Sequence, residues 1–309
     1  MKVGVVIGRF QTPYIHTGHK DFIQKVLEKR NDHLVIFIGQ SRVQVTTENP
    51  LPFNLIKNQL NKFTMGGDVT ILPLYDKPTD EAWTESLDSI LINLYPNSDI
   101  TIYGCKDSCI PHYKGKFKTE LIPIRFPEYN ASDIRKTVGK SHTRYLNTPE
   151  EGIIWATQNR FPTCFPTVDV AIINYDQVLL ARKPGEKLFR FPGGFAEPDS
   201  PSFESDAKRE VVEETGLEVS NVQYLKSFKI DDWRYRRGKD KIKTLFFTAN
   251  YTFGHPTPSD DLAGGELKWF KIATITRNII MPEHLPLFDS LLAHYFLERR
   301  KDVQVEPNS

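Results

Sequence analysis

A short apolar segment near the start of the chain runs directly into a loop that carries glycine and two histidines. The segment 3–7 is followed by the string GRFQ and then by a helical pattern that begins at residue 17. A glycine after a strand lets backbone amides approach an anion, and the first amides of the next helix point at the same place. Two histidines three residues apart at a helix start can both donate hydrogen bonds to phosphate oxygens that gain charge during group transfer. The pattern predicts a phosphate-binding site built from Gly8, Arg9, Phe10, Gln11, His16 and His19.

A second candidate site lies in the other half of the chain, where three glutamates share one face of a predicted helix. Glu210, Glu213 and Glu214 are spaced i, i+3 and i+4 in a helix over 203–215, which Gly216 ends. Like charges at this spacing repel each other and weaken a helix unless a cation neutralises them. Carboxylate oxygens are the ligands that Mg²⁺ prefers in proteins. Because a Gly-Gly turn also precedes the helix, the pattern favours a divalent-metal site over a solvated acidic surface.

The elements that would position the first site alternate between strands and helices. Strand-like apolar runs occur at 3–7, 34–38, 69–74, 100–103 and 121–124, and helical apolar periodicity occurs at 17–30 and 82–94. This alternation predicts an α/β fold, in which helices cover both faces of a parallel sheet. A helix over 148–159 follows, with Thr148 as its N-cap, and prolines at 162 and 166 interrupt regular structure. We therefore expect one domain over 1–160 and a second over 166–309.

The second domain has a different order of elements. Strand candidates occur at 168–174, 178–181, 222–230, 242–253 and 266–270, and they surround the single helix over 203–215. A last amphipathic helix covers 283–300. This order predicts an α+β domain in which one helix carries the acidic side chains.

Composition limits the classes of function. The chain has 309 residues, 40 Lys+Arg against 39 Asp+Glu, and 39% hydrophobic residues, which is ordinary for a globular protein and argues against global disorder. A net charge of +1 gives no overall field to hold a polyanion, so nucleic-acid or membrane binding would need a local patch. Three cysteines and no apolar run of 18 residues indicate no disulfide framework and no membrane anchor. We expect a cytoplasmic protein.

The glycine and histidine string resembles the signature of the nucleotidyltransferase superfamily, and most closely that of NMN adenylyltransferases of the archaeal-like type. The resemblance implies a Rossmann-like domain that transfers AMP from ATP to nicotinamide mononucleotide (NMN), giving NAD and pyrophosphate, with Mg²⁺ bridging ATP oxygens. It places His16 and His19 at the α-phosphate. A second family motif matches 130–135, although Asn130 stands where serine is usual. By this resemblance Ser132 caps the helix, and its hydroxyl and Arg135 bind the leaving pyrophosphate.

Other positions of the same resemblance lie on loops and at the start of the helix 82–94. Arg42 belongs to a loop on the substrate side. Asp80 and Trp83 stand where the family recognises and stacks the nicotinamide, and Lys106 and Asp107 follow the fourth strand. The carboxyl end of a parallel strand is where such sheets bind ligands. Trp83 also falls on the apolar stripe of its helix, so a purely structural tryptophan is the alternative.

The acidic helix resembles the second half of the Nudix box, whose members hydrolyse nucleoside diphosphates linked to another group, using Mg²⁺ or Mn²⁺. The resemblance implies a mixed sheet with a catalytic helix, in which Glu210 and Glu214 bind metal and Glu213 assists metal and water. The first half of the box departs from the family pattern. Ser200 stands where the family has a glutamate that fixes the loop and Arg209, and the spacing to Arg209 is one residue longer. This departure bears on loop geometry and rate more than on metal binding.

The whole chain resembles the fusion family that joins an NMN adenylyltransferase to a Nudix ADP-ribose pyrophosphatase. The resemblance implies that the second domain cleaves ADP-ribose to AMP and ribose 5-phosphate. A basic loop over 231–239, which includes Arg237, resembles that family's basic loop less closely. Its arginines would bind a diphosphate and its aromatic residues would stack on a base. An exposed basic hairpin is the alternative.

Three other interpretations stay open. The first domain could use another phosphorylated acceptor, which Asp80 and Trp83 argue against. The second domain could be a weak or inactive Nudix module that binds ADP-ribose or NAD and regulates the first. The patch over 233–243 could bind nucleic acid, but the near-neutral chain offers little electrostatic capture. The oligomeric state, including a homo-oligomer, is also left open.

Overall fold

The computed structural model describes residues 1–304 except 44, 66, 107 and 127, and of 298–304 it describes the backbone alone. The chain divides into two compact units. One contains Met1–Phe161 and Arg237–Lys239, and the other contains Pro162–Arg236 and Asp240–Ser309. Over the described range, no helix has both the length and the apolar character needed to cross a bilayer.

The first unit is a five-stranded sheet in the order β3-β2-β1-β4-β5, and all of its neighbouring strands are parallel. Its elements are β1 (Lys2–Gly8), α1 (Thr17–Leu27), β2 (His33–Gln40), α2 (Phe53–Phe63), β3 (Val69–Tyr75), α3 (Asp80–Leu94), β4 (Asp99–Gly104), β5 (Lys118–Leu121), α4 (Ala131–Lys140) and α5 (Pro149–Asn159). The predicted parallel α/β sheet is confirmed.

Alternate residues of the central strands supply two separate cores. Val6 and Ile36 face a core shared with α1 and α2, whereas Val5 and Val35 face a core shared with α3. Because both faces are covered, the strands are apolar throughout instead of alternating with polar residues. This arrangement leaves the carboxyl edge of the sheet for the loops that follow β1, β3 and β4.

Three elements of this unit differ from the sequence-based expectation. α1 ends at Leu27, before the predicted end at 30, since Arg30 takes a φ of 53° that a helix does not allow. β5 ends at Leu121, where the predicted strand 121–124 begins, because Ile122 and Ile124 are apolar through packing in the core and not through a strand. α2 was not predicted. Its N-cap is a proline without a side-chain cap, so the sequence carries no start signal.

The second unit is built on a mixed sheet in the order β11-β7-β6-β10-β9, with β8 paired to β6. Its elements are β6 (Cys164–Asn174), β7 (Gln177–Arg182), β8 (Gly193–Phe195), α6 (Phe203–Thr215), β9 (Glu218–Ile230), β10 (Lys241–Phe253), β11 (Glu266–Lys271) and α7 (Leu285–Gln304). β6 and β10 pair parallel, and the other pairs are antiparallel. α6 and α7 contribute to different cores, which form around Val170 and Ala171 respectively.

Most boundaries in this unit extend beyond the predicted ones. β6 begins at Cys164, so Pro166 lies inside a strand opposite Lys243 and does not interrupt it. Proline is tolerated there because the second neighbour, β8, pairs with β6 only from Thr167 onward. β9 starts four residues before the predicted position, and the predicted helix start at 283 is instead a 3₁₀ turn, Pro282–His284, which leads into α7.

Candidate functional site

The loop after β1 is closed by an aromatic ring. Phe10 takes a left-handed backbone conformation with a φ of 49°, and its side chain is buried. A Cβ at Gly8 would come within 2.9 Å of the Phe10 ring, so the position requires glycine. The loop therefore folds tightly over the carboxyl end of β1, where ligands of parallel sheets bind.

His16 and His19 lie together at the start of α1. The His16 side chain caps the helix, because its Nδ1 accepts a hydrogen bond from the backbone N–H of His19 at 3.3 Å. The two rings stack with centroids 3.7 Å apart, and Phe10 packs edge-on against His19 at 4.9 Å. The structure thus brings together the pair of histidines that their spacing predicts.

Burial determines the charge of these histidines. It lowers the pKa of His16 and, together with the neighbouring His16, lowers the pKa of His19 to about 3. Both imidazoles are therefore neutral at pH 7, and since Nδ1 of His16 accepts, its proton resides on Nε2. The buried Nδ1 of His19 has no partner among the described residues. A buried nitrogen of this kind is suited to a ligand hydrogen bond.

α4 brings Arg135 to the same loop. Arg135 is buried, and its Nη1 donates to the carbonyl of Gln11 at 3.0 Å while its Nη2 donates to Oγ of Ser132 at 3.2 Å. Burial lowers the pKa of Arg135. The expectation that Ser132 caps α4 is wrong. Asn130 is the N-cap, and its Oδ1 accepts from the Ser132 backbone N–H at 2.7 Å, which leaves the Ser132 hydroxyl with Arg135.

Two residues of the GRFQ string form side-chain hydrogen bonds and an ion pair with neighbouring loops. The side-chain amide of Gln11 donates to the carbonyl of Leu51 at 3.1 Å and accepts from the Leu51 N–H at 2.8 Å. Arg9 donates to Oδ1 of Asn49 at 2.9 Å and forms an ion pair with Asp76 at 2.8 Å. Both side chains therefore connect the loop after β1 to the loop that precedes α2, and Arg9 also reaches the end of β3.

The residues predicted to recognise nicotinamide lie on the first turn of α3. The Asp80 carboxylate pairs with Nδ1 of His112 at 3.0 Å. Trp83 is half-buried and packs against the core that α3 shares with the sheet. Trp83 thus contributes to the packing of the core, as the structural alternative expects.

The remaining predicted residues of this unit lie on loops. Arg42 is exposed, and its guanidinium lies 5.0 Å from the centroid of the Tyr75 ring. Lys106 is exposed on the turn after β4. Asp107 lies outside the described residues.

In the second unit, Arg209 is the centre of the site. Its Nη1 donates to Glu213 at 2.6 Å, and its Nη2 contacts the carbonyl of Phe195 at 2.9 Å, Glu210 at 2.9 Å and Asp206 at 3.3 Å. Burial opposes the charge on Arg209, but Glu210 and Glu213 raise its pKa on balance. One guanidinium therefore connects the loop after β8 to the acidic face of α6.

Glu210 and Glu214 are one helical turn apart and are 6% and 3% exposed. Burial raises the pKa of both carboxyls, to about 7 for Glu214. Oε2 of Glu214 accepts from the backbone N–H of Gly193 at 2.8 Å. A Cβ at Gly194 would lie 2.7 Å from both carboxylate oxygens of Glu210. The Gly-Gly pair, which lies in β8 and not in the turn that the sequence predicts, therefore lies directly against the two buried carboxylates.

These residues fit a divalent cation. The donor set consists of carboxylate oxygens, which suit Mg²⁺ and Mn²⁺, and a nearby cation would supply the positive charge that lowers the raised pKa values. Glu213 is half-exposed and held by Arg209. Within the part of the chain that the structure describes, no three metal-binding side chains converge on one point. The two buried predicted ligands, Glu210 and Glu214, are thus the pair best placed to hold a cation.

Two acidic residues near this pair were missed by the sequence analysis. Asp260 and Asp261 lie on the loop before β11, where Asp260 raises the pKa of Glu210 and Asp261 raises that of Glu214. The backbone N–H of Ser259 donates to the carbonyl of Glu214 at 3.1 Å and fastens this loop to the end of α6. Consecutive aspartates ahead of a Gly-Gly pair were the available signal in the sequence.

The basic loop is largely neutralised from within. Arg234 forms an ion pair with Asp232 at 2.7 Å, and Arg236 forms one with Asp231 at 3.1 Å. Arg237 is exposed, and its segment, Arg237–Lys239, belongs to the first unit. Arg237 is therefore grouped with the first unit and not with the second, where the resemblance placed it.

Comparison with known proteins gives a family for part of the chain. Residues 165–291 match the family described as NUDIX domain. The NAD-capped RNA hydrolase NudC of Vibrio atlanticus (strain LGP32) is 31% identical over 117 residues, which are 37% of this chain and 40% of that protein. NudC of Pseudomonas aeruginosa (strain LESB58) is 30% identical over 135 residues, which are 43% of this chain and 44% of that protein. The chain thus spans less than half the length of the curated relatives it matches.

A solved structure aligns with most of the chain. A bifunctional NMN adenylyltransferase/ADP ribose pyrophosphatase from Francisella tularensis, complexed with AMP and Mn ion, is 22% identical with a TM-score of 0.46. The alignment covers 95% of this chain and 99% of that one.

The resemblance of the acidic helix to a Nudix box is confirmed by the family match, and residues 165–291 of this chain form a NUDIX domain.

Proposed function

We propose that the second unit hydrolyses the pyrophosphate bond of ADP-ribose, giving AMP and ribose 5-phosphate. The observation that carries this proposal is the buried pair Glu210 and Glu214 against the two glycines of β8, inside the stretch that matches the NUDIX domain. Buried carboxylates without a cation are unfavourable, so a pair of them on one helical face favours metal-assisted chemistry. ADP-ribose joins AMP to a second group through the pyrophosphate on which such chemistry acts.

The residues of α6 have distinct tasks in this reaction. Glu210 and Glu214 would hold Mg²⁺ or Mn²⁺, which polarises a phosphoryl oxygen and lowers the pKa of the attacking water. The Gly193 N–H orients Glu214, and Arg209 orients Glu210 and Glu213. Glu213 is the exposed member of the three, so water can reach its carboxylate, which would accept the proton of the attacking water.

Product analysis tests this proposal. The purified chain is incubated with ADP-ribose and Mg²⁺ or Mn²⁺, and AMP and ribose 5-phosphate are the expected products. Glu214→Gln removes one charged ligand and is expected to abolish most turnover, whereas Glu204→Gln, at the exposed start of the same helix, is expected to leave turnover unchanged. Tight ADP-ribose binding without metal-dependent turnover would instead identify a regulatory binding module.

A second candidate substrate comes from the curated relatives, which are NAD-capped RNA hydrolases at about 30% identity. NAD also contains a pyrophosphate joined to AMP. The structure argues against an RNA substrate at the basic loop. Arg234 and Arg236 form ion pairs within that loop, which leaves less positive charge to bind phosphates. NAD and an NAD-capped oligonucleotide belong in the same assay, and faster cleavage of the oligonucleotide would reassign the substrate.

For the first unit we propose transfer of AMP from ATP to NMN, giving NAD and pyrophosphate. The observation that carries this proposal is the stacked pair His16 and His19 beside the tight loop after β1, with Arg135 hydrogen-bonded to that loop. Positioning and charge stabilisation supply most of the catalysis in such a transfer, and no covalent intermediate is needed. The NMN phosphate attacks the α-phosphorus of ATP in line, and pyrophosphate leaves.

The neutral histidines suit this chemistry. A neutral imidazole donates one hydrogen bond to an α-phosphate oxygen without needing a counter-charge in its buried position. Arg135 supplies the positive charge for the leaving pyrophosphate, and the Ser132 hydroxyl, which accepts from Arg135, holds the guanidinium in place. Mg²⁺ bound to ATP would neutralise part of the phosphate charge.

Detection of NAD and pyrophosphate from NMN, ATP and Mg²⁺ tests this proposal. Arg135→Gln is expected to raise the KM for ATP and lower kcat, whereas Lys136→Gln, its exposed neighbour, is expected to change neither. A panel of other phosphorylated acceptors is run in parallel. Preference for one of them over NMN would show that Asp80 and Trp83 do not select nicotinamide.

A further inference from the structure

Asp206 is a buried acid that the proposed reaction does not use. It lies on α6, one turn before the acidic face, and is 2% exposed. A buried carboxylate is costly unless it is hydrogen-bonded and paired with a cation. Asp206 meets both conditions, since Oδ1 accepts from the backbone N–H of Glu197 at 3.1 Å and from Nη2 of Arg209 at 3.3 Å.

These two bonds connect a loop to the metal-binding side chains. Glu197 lies on the loop that follows β8, close after the two glycines of that strand. Arg209 donates to the carbonyl of Phe195 in the same loop and contacts Glu210 at 2.9 Å. A continuous set of contacts therefore runs from the loop through Asp206 and Arg209 to Glu210.

The side chain of Ser200, where a glutamate was expected, makes no such connection to Arg209 among the described residues. The backbone N–H of Ser200 donates to the carbonyl of Glu197 at 3.1 Å. The hydroxyl of Ser200 donates to the carbonyl of Ser202 at 3.2 Å. This hydrogen bond keeps the side chain of Ser200 beside the start of α6. The resemblance to the Nudix box gives a glutamate at position 200 the task of fixing the loop and Arg209. In this chain both partners, the loop N–H and the guanidinium, bind Asp206 instead.

We propose that Asp206 is the positioning residue of this site, which takes over the task of the glutamate that Ser200 replaces. It fixes the loop and Arg209, and through Arg209 it orients Glu210 for a divalent cation. The inference rests on the proposed function of the second unit. Arg209 is the partner that contacts the ligand Glu210, and loss of such a partner typically lowers metal affinity by roughly 10- to 100-fold. Because Asp206 acts through Arg209, its loss is expected to fall at the lower end of this range, which is still measurable.

Mn²⁺ binding to the full chain tests the inference without reference to any substrate. Free Mn²⁺ is measured by its electron paramagnetic resonance signal during titration, and Glu214→Gln defines the part of the binding that belongs to this site. Asp206→Ala is expected to weaken that binding by roughly 10-fold, the lower end of the range for partners that contact a ligand. Asp206→Asn keeps the shape and an acceptor for the Glu197 N–H but loses the charge opposite Arg209, so an intermediate loss is expected. Ser200→Ala is the matched control and is expected to bind Mn²⁺ as the wild type does.

The outcomes separate this inference from the function on which it rests. Wild-type affinity in both folded Asp206 variants, even with a lower melting temperature, would overturn the inference and show a purely structural acid. Circular dichroism establishes which variants are folded, and Asp206→Asn decides the result if Asp206→Ala does not fold. Absence of Glu214-dependent Mn²⁺ binding in the wild type would overturn the proposed hydrolase, and the inference with it.

Discussion

Substitution of Gly194 by alanine should separate function from stability in the second unit. A Cβ there would lie 2.7 Å from both carboxylate oxygens of Glu210, whereas ordinary contact begins at 3.4 Å. The carboxylate must therefore retreat by about 0.7 Å. A misplacement of about 1 Å can lower a rate by roughly 100-fold, so metal-dependent hydrolysis should fall by about 10- to 100-fold.

The same substitution should barely change stability. The atoms that must move are the end of a side chain and not backbone, so the free energy of unfolding should change by less than about 1 kcal/mol. The assay is ADP-ribose hydrolysis across a Mn²⁺ series, together with urea unfolding. Gly152→Ala in α5 is the matched control, because a Cβ there meets nothing within 4 Å. It should stabilise the helix by about 0.5–1 kcal/mol and leave hydrolysis unchanged.

Two results would refute this reasoning. Wild-type hydrolysis by Gly194→Ala would show that the position of the Glu210 carboxylate does not limit the reaction. A loss of several kcal/mol in unfolding free energy would show that the glycine is required by the fold and not by the site.

Three further predictions concern neighbouring residues. Gly193→Ala should destabilise the second unit by at least about 2 kcal/mol in urea unfolding, because φ is 151° and a Cβ would lie 2.1 Å from the Val168 carbonyl oxygen. His19→Ala should lower NAD synthesis by roughly 100- to 1000-fold with the circular dichroism spectrum retained, whereas Lys20→Ala should not; near-normal synthesis would contradict the role of His19. Burial lowers the pKa of His19 from 6.5 to about 3, so the unfolded chain binds a proton that the folded chain does not. This contribution to stability is complete above pH 6.5 and is lost as the pH falls toward 3, and His19→Gln should reduce that loss in an acid titration followed by circular dichroism.

Sequence patterns predicted the elements whose apolar periodicity, caps or end residues lie within the element itself. The parallel sheet follows from short apolar runs separated by amphipathic stretches, and the helix over 203–215 coincides with α6 because Ser202 caps it and Gly216 ends it with a φ of 68°. α2 carried no such start signal, since Pro52 provides no side-chain cap. The shift of β5 has another cause: Ile122 is apolar because of tertiary packing, and a sequence pattern does not distinguish that from a strand.

The distinction between local sequence signals and tertiary contacts also applies to the candidate sites. Spacing alone predicted that His16 and His19 would be neighbours, because both lie within one helical turn. The partners of Arg209 could not be read in this way. Asp206 is on the same helix, but its second partner, the Glu197 N–H, comes from a loop whose path the sequence does not specify. Asp260 and Asp261 approach α6 only through tertiary structure, and the pairing of Arg234 with Asp232 likewise depends on the conformation of the basic loop.

The side chain of Gln11 has a consequence for how the first unit responds to ligands. Its amide donates to and accepts from the same residue, Leu51, and so imitates one rung of a β ladder between two segments that are not strands. Asn49, two residues before Leu51, is in turn bound by Arg9. A ligand that displaces the loop after β1 must therefore carry the segment around Leu51 with it. The two loops are therefore expected to move as one unit, although 40 positions of sequence separate Gln11 from Leu51.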